Sequence, residues 1–212
     1  MDVKLPDSSD RHSWAELMNM DAGDIPDDKA GRCEELLMKA AEPKGIFVYS
    51  DRFDYEGLAI RRHLEGCSRT VLCGITLGRR VDDLITRLQV TDMEMAVYAD
   101  CGASALAEQA ADLFEDHIRS QLPEETPYMT CRFAPGYGDL PLEEQRYLIK
   151  SLDAERKIGL TLNDSDLLVP LKSLTGILGI ADHPVSGHHA DCSCCMLAET
   201  CIRRKEGRIC GR

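Results

Sequence analysis

An α+β fold, with a mixed or antiparallel twisted sheet and flanking helices, is predicted by three features of this sequence. Strand-like runs at Gly45 to Tyr49, Arg69 to Ile75 and Leu174 to Ile180 alternate with segments whose apolar residues recur at helical spacing. Several of the strand-like runs form hairpin-like pairs. The segment from about Thr91 to Arg119 reads as one long helix with a single apolar stripe.

Taken in order, residues 1–26 are polar with isolated apolar positions and two prolines, and read as a loose N-terminal arm with a short helix near Trp14 to Met20. Asp27 to Ala41 is an amphipathic helix, with Cys33, Leu36, Leu37 and Ala40 on one side and two aspartates near its start. Gly45 to Tyr49 is a strand. A short strand is expected at Leu58 to Ile60, then a helical turn through His63 to Gly66, with His63 a surface or capping residue. Arg69 to Ile75 has the β-branched content of a buried strand. It runs through Thr76-Leu77-Gly78 into a helix from about Arg80 to Leu88. A strand, a glycine turn and a helix N-terminus can hold an anion through free N–H groups, and the same arrangement is an ordinary corner in α+β proteins.

Thr91 and Glu94 have capping-box spacing and open the longest helix, whose core stripe is Ala103, Leu106, Ala110, Leu113, Phe114 and Ile118. Tyr128 to Phe133 is a strand. Asp139 and Pro141 start a helix from Leu142 to about Leu152, and a shorter helix from Asp153 is stopped by Gly159. Strands follow at Leu167 to Pro170 and Leu174 to Ile180. The expected organisation is an N-terminal arm over 1–26, a folded domain over 27–181 and a cysteine-rich C-terminal tail over 182–212.

Composition narrows the functional classes. The 25 basic and 37 acidic side chains leave a net charge of −12, which lacks the electrostatic footprint of a nucleic-acid binder. No apolar run approaches the roughly 20 residues needed to cross a bilayer, and the N-terminus has no signal-peptide character. A cytoplasmic location is expected, so the ten cysteines read as thiols, metal ligands or redox groups rather than a disulfide framework.

Three places carry chemistry. The first is Arg132-Phe133-Ala134-Pro135-Gly136-Tyr137-Gly138. Pro135-Gly136 signals a type II turn, because proline presets one dihedral and glycine accepts the positive φ that comes next. Beside it stand a guanidinium fork suited to a carboxylate and a phenol ring with an apolar face. Such a set can hold a small zwitterion or a nucleoside; it also describes an ordinary turn with a surface arginine. The second is Glu108, off the stripe of the long helix and ringed by Ser104, Ala105 and Ala111, small side chains that leave it approachable. The third is the tail, where Cys192, Cys194, Cys195, Cys201 and Cys210 fall among basic residues. Thiolates so spaced suit zinc or an iron–sulfur cluster; a redox dithiol and an unliganded reactive tail are the alternatives.

Several of these segments resemble one family, the activation (reactivation) domain of cobalamin-dependent methionine synthase. Arg132 to Tyr137 is similar to its Arg-x-x-x-Gly-Tyr signature. Thr76-Leu77-Gly78, Leu106-Ala107-Glu108 and Pro170-Leu171-Lys172-Ser173-Leu174-Thr175-Gly176 follow the family in the same order. The resemblance covers roughly 45–181 and implies the family's fold. It also implies that the domain binds S-adenosylmethionine and supports reductive remethylation of cob(II)alamin, with an electron from a flavodoxin- or ferredoxin-type donor. On that basis Arg132 holds the ligand's carboxylate, Ala134 gives backbone contacts, Gly136 allows close approach and Tyr137 packs near the ligand. Glu108 lines the same site, Ser173 and Thr175 lie beside it, and Glu125 stands one position from an acidic residue of the family. The family's early Asp-Trp-Thr-Pro segment has no counterpart here.

Asp10 and His12 resemble the start of a cobalamin-binding Asp-x-His-x-x-Gly signature, but Ala15 stands where the glycine is needed. The expectation is therefore a component acting in trans on a separate methionine synthase or corrinoid methyltransferase, not a complete enzyme. The alternative is a non-enzymatic accessory protein on the same fold, binding a metal or iron–sulfur cluster through its cysteines.

Overall fold

In a computed structural model, which describes residues 1–18 and 25–185, the chain is built on a four-stranded sheet. Its strands are β1 (Lys44–Ser50), β2 (Arg69–Thr76), β3 (Tyr128–Met129) and β6 (Ser173–Ala181), in the order β1-β2-β6-β3. Every pairing is antiparallel. A second, two-stranded antiparallel sheet joins β4 (Thr161–Leu162) to β5 (Leu168–Val169).

The continuous apolar character of β2 follows from its place at the centre, where all its residues but Arg69 are buried. Alternate side chains of a strand leave opposite faces. Val71, Cys73 and Ile75, with Leu178 and Ile180 of β6, face one core; Leu72 and Ile177 face another. The first core is covered by α1 (Arg11–Met18), α2 (Asp27–Ala40), α4 (Arg79–Thr91) and α5 (Met93–Ser120). The second lies under α3 (Leu58–His63), α6 (Glu144–Leu152) and α7 (Ala154–Ile158). Full burial of a side chain such as Leu72 contributes about 1.5–3 kcal/mol.

Helix α2 forms as its pattern predicts: Asp27 and Asp28 face the positive end of its dipole, and Ala30, Cys33 and Leu37 are buried. Helix α5 spans 28 residues and presents Ala99, Ala103, Leu106, Ala110, Phe114 and Ile118 to the sheet side. Leu113, expected in that stripe, is 39% exposed. Its cap is Asp92, whose carboxylate accepts from Met95 N at 3.1 Å, rather than Thr91; the Thr91 hydroxyl instead donates to Arg87 O inside α4.

Other expectations are also revised. Residues 1–18 are not loose: Trp14 is fully buried in the first core and lies against α5 at Gly102. Segment 58–60 is helix, not strand, because a carboxylate from elsewhere in the chain caps it. Asp139 accepts from Leu58 N at 2.5 Å and from Ala59 N at 3.0 Å. Asp139 was expected to start the following helix, which begins instead at Glu144. His63 is not on the surface; it is 1% exposed, with Nε2 2.9 Å from the Thr130 hydroxyl.

Candidate functional site

The site is assembled where the chain leaves β3 and returns against β6. Phe133 exchanges both backbone hydrogen bonds with Ile177, at 3.0 and 2.9 Å, and its ring is buried in the second core. Arg132, its neighbour, therefore sends its side chain to the opposite face, toward α5. Tyr137 N then donates to Ala134 O at 3.1 Å, and Gly136 takes a φ of +84°, closing the proline–glycine turn as expected. Gly136 N and Leu140 O, 2.9 Å apart, pin the far side of the loop. Pro135 is buried, whereas Gly136 and Tyr137 are exposed, and the Tyr137 ring meets Phe133 edge-on at 5.5 Å.

The Arg132 guanidinium is received by one face of α5. One Nη donates to Glu115; the other donates to Glu108 at 2.8 Å and lies 3.5 Å from Asp112. Four- and seven-residue spacing from Glu108 puts Asp112 and Glu115 on the same helix face. Their environments differ sharply. The side chains of Arg132 and Glu115 are 14% and 12% exposed, while those of Glu108 and Asp112 are 59% and 73% exposed. Burial pushes the Glu115 carboxyl up to about 7, with the Arg132 charge opposing that rise. Three carboxylates around one guanidinium make the cluster acidic overall.

A second cation continues the row. Lys172 Nζ lies 2.8 Å from both Asp100 Oδ1 and Ser104 Oγ, so α5 meets Lys172 and Arg132 along successive turns. Asp112 also borders a groove of about 360 Å³ between residues 4–7 and α5, shared with Leu5, Gln109 and Leu113.

The structure thus brings Arg132 to Glu108, while Ala134, Gly136 and Tyr137 form the turn that follows, with the Tyr137 ring packed on Phe133 and not against the guanidinium. It places the other expected residues differently. The Ser173 hydroxyl donates to Pro170 O at 2.6 Å and lies 2.8 Å from the Thr76 hydroxyl. The Thr175 hydroxyl donates to Gln145 Oε1 of α6 at 2.6 Å, on the far side of the sheet from the guanidinium. Gly176 is the member of that segment which touches Arg132. Glu125 is exposed in the loop before β3. The glycine corner before α4 is internally bonded, with Gly78 N donating to Thr76 Oγ1 at 3.0 Å, and Asp82 in the helix's first turn accepts from Leu171 N at 2.8 Å.

Cys192, Cys194, Cys195, Cys201 and Cys210 lie outside the described residues, as does the tail that carries them. Among the described residues no group of three or more His, Cys, Asp or Glu is placed to hold a metal ion. Nor is any helix among them long and apolar enough to cross a membrane.

A family described as "Vitamin B12 dependent methionine synthase, activation domain" matches residues 72–189, more than half of the chain. The chain belongs to that family. The matched span runs from the centre of β2 through the whole Arg132 cluster, so this activation-domain member keeps turn, helix face and glycine strand inside the family's region. The same fold is found in the crystal structure of the MetH reactivation domain bound to AdoHcy. That structure is similar with a TM-score of 0.59 at 17% identity, over 86% of this chain and 72% of that one. No curated protein matches the sequence.

Proposed function

We propose that this chain is an S-adenosylmethionine-binding activation unit, which supports reductive methylation of cob(II)alamin held by a separate methionine synthase or corrinoid methyltransferase. One observation carries the reading: a nearly buried guanidinium and a largely exposed carboxylate, Arg132 and Glu108, stand 2.8 Å apart. Adjacent opposite charges of this kind suit the two ends of an amino-acid zwitterion. Arg132 takes the carboxylate and Glu108 the ammonium, so the ligand replaces the Arg132–Glu108 contact while Arg132 keeps Glu115.

Ala134 and Gly136 offer backbone close to the ligand, and Tyr137 offers a ring face for its nucleoside. Ser173 and Thr175 contribute from below, by fixing the strand on which Arg132 rests; Glu125 is a flanking acidic residue. Bound there, S-adenosylmethionine supplies a methyl group activated by its sulfonium. The protein's part is to bind and orient that group toward a partner's corrin. The overall acidity of the cluster favours a ligand that carries a positive sulfonium. The fold likeness to a reactivation domain bound to AdoHcy supports the same ligand class.

In this reading residues 27–181 form the ligand-binding unit, the N-terminal segment packs on it, and residues 182–212 form a tail. The tail cysteines, with Cys192 and Cys195 in C-x-x-C spacing, hold zinc or an iron–sulfur cluster. The electron comes from a flavodoxin- or ferredoxin-type protein, and the system works in the cytoplasm. Titration calorimetry with S-adenosylmethionine tests the core of the proposal. Saturable binding is expected, and its absence up to millimolar ligand contradicts it. Metal analysis of anaerobically purified protein tests the tail separately: zinc, or iron with sulfide absorbance, is expected, and metal-free protein contradicts it.

A further inference from the structure

Arg132 has two kinds of partner. Glu115 is at least as buried as the arginine itself, while Glu108 and Asp112 face solvent. A guanidinium is a rigid planar fork, so fixing one edge fixes where the other edge points. Its aliphatic stem is fixed as well, because it crosses β6 over Gly176, where a side chain would collide with it. Exposed partners can be exchanged for a ligand at little cost; a desolvated charge that loses its partner is left uncompensated.

We propose that Glu115 is the positioning residue of this site, clamping one edge of the Arg132 guanidinium so that the other edge meets the ligand's carboxylate. The role rests on the ligand reading above. It also makes ligand affinity depend on pH near neutrality. The groups facing Glu115 are Arg132 from the loop after β3, Asp112, Glu108 and Arg119 from α5, and the thiols Cys73 of β2 and Cys131. Burial against them puts the Glu115 carboxyl at about 7. Ligand binds the form with ionised Glu115, so protons compete with it and affinity falls as pH drops through that value.

The test compares the full chain with E115Q and D112N, using S-adenosylmethionine as the probe in calorimetry from pH 6 to pH 8.5. Wild-type affinity is expected to fall several-fold from pH 8 to pH 6. E115Q is expected to bind roughly ten-fold more weakly at pH 8, with a flattened pH profile. D112N keeps the Glu115 clamp and should retain the fall in affinity toward pH 6, with its midpoint moved to lower pH because Asp112 helps to raise the Glu115 carboxyl. In the ligand-free protein, Arg132 guanidinium N–H signals, assigned by their loss in R132K, should exchange slowly in wild type and D112N and at solvent rates in E115Q. E115Q that binds like wild type with an unchanged profile overturns the positioning role alone. Wild type that shows slow exchange but binds no ligand overturns the ligand reading, and this role with it.

Discussion

The Arg132 side chain crosses the central sheet directly over Gly176. A Cβ on Gly176 would lie 3.0 Å from Cδ of Arg132 and overlap its Cγ. Gly176 pairs with Cys73 at the centre of the sheet, so neither strand can retreat. G176A should therefore overpack this point and cost about 1–3 kcal/mol, read by urea denaturation. It should also weaken S-adenosylmethionine binding by displacing the guanidinium. An alanine variant with wild-type stability and affinity would show that Arg132 does not need this path.

Glu115 yields a prediction about stability that does not involve the ligand. Its carboxyl is raised from 4.5 to about 7 by burial, more than Arg132 restores. A raised carboxyl pKa means that the folded state holds the extra proton between those values. The group's contribution is thus full below about pH 4.5 and is lost as pH rises through about 7, on the order of 3 kcal/mol in all. E115Q lacks this dependence. Relative to wild type, the variant should gain stability from pH 4.5 to about pH 7 and level off by pH 8 in urea denaturation. An equal gap between the two proteins at pH 4.5 and pH 8 contradicts the assignment.

Asp139 holds the start of α3 through two backbone N–H groups, from a position about 80 residues away. D139A should cost about 0.5–2 kcal/mol, and D139N less, as for other helix caps. Amide exchange at Leu58 and Ala59 should accelerate in D139A while β2 stays protected. Unchanged exchange at both amides would mean that the helix does not depend on this cap.

Trp14 joins the N-terminal segment to the first core, with no exposed surface. W14A should destabilise the protein by about 3–5 kcal/mol, the range for emptying a large aromatic site. A loss below about 1 kcal/mol in chemical denaturation would restore the picture of a loose arm.

The parts of this molecule that were legible from sequence are those governed by local chemistry. Pro135-Gly136 closes its turn because both residues are preset for it, and β2, α2 and α5 carry burial patterns that match their periodicity. The parts that were not legible depend on contacts distant in sequence. The helix at 58–63 exists through Asp139, and Trp14 is buried by helices that begin after residue 26. In the site, Arg132, Glu108 and the turn were readable as motif residues. Asp112 and Glu115 carried a signal too, their spacing from Glu108 on one helix face, but nothing local showed that Arg132 would cross the sheet to meet them. Ser173 and Thr175 sit in the right segment with their hydroxyls turned to the other side, a matter of strand register that motif reading does not resolve.

The central claim is that Arg132 receives a ligand carboxylate at the turn. Its most direct measurement is the dissociation constant of S-adenosylmethionine for wild type and R132A at pH 8, with circular dichroism confirming that both are folded. Losing a charge-assisted hydrogen bond worth about 1.5–3 kcal/mol predicts an affinity roughly 10- to 150-fold weaker in R132A. Equal affinity in the two folded proteins would contradict the account.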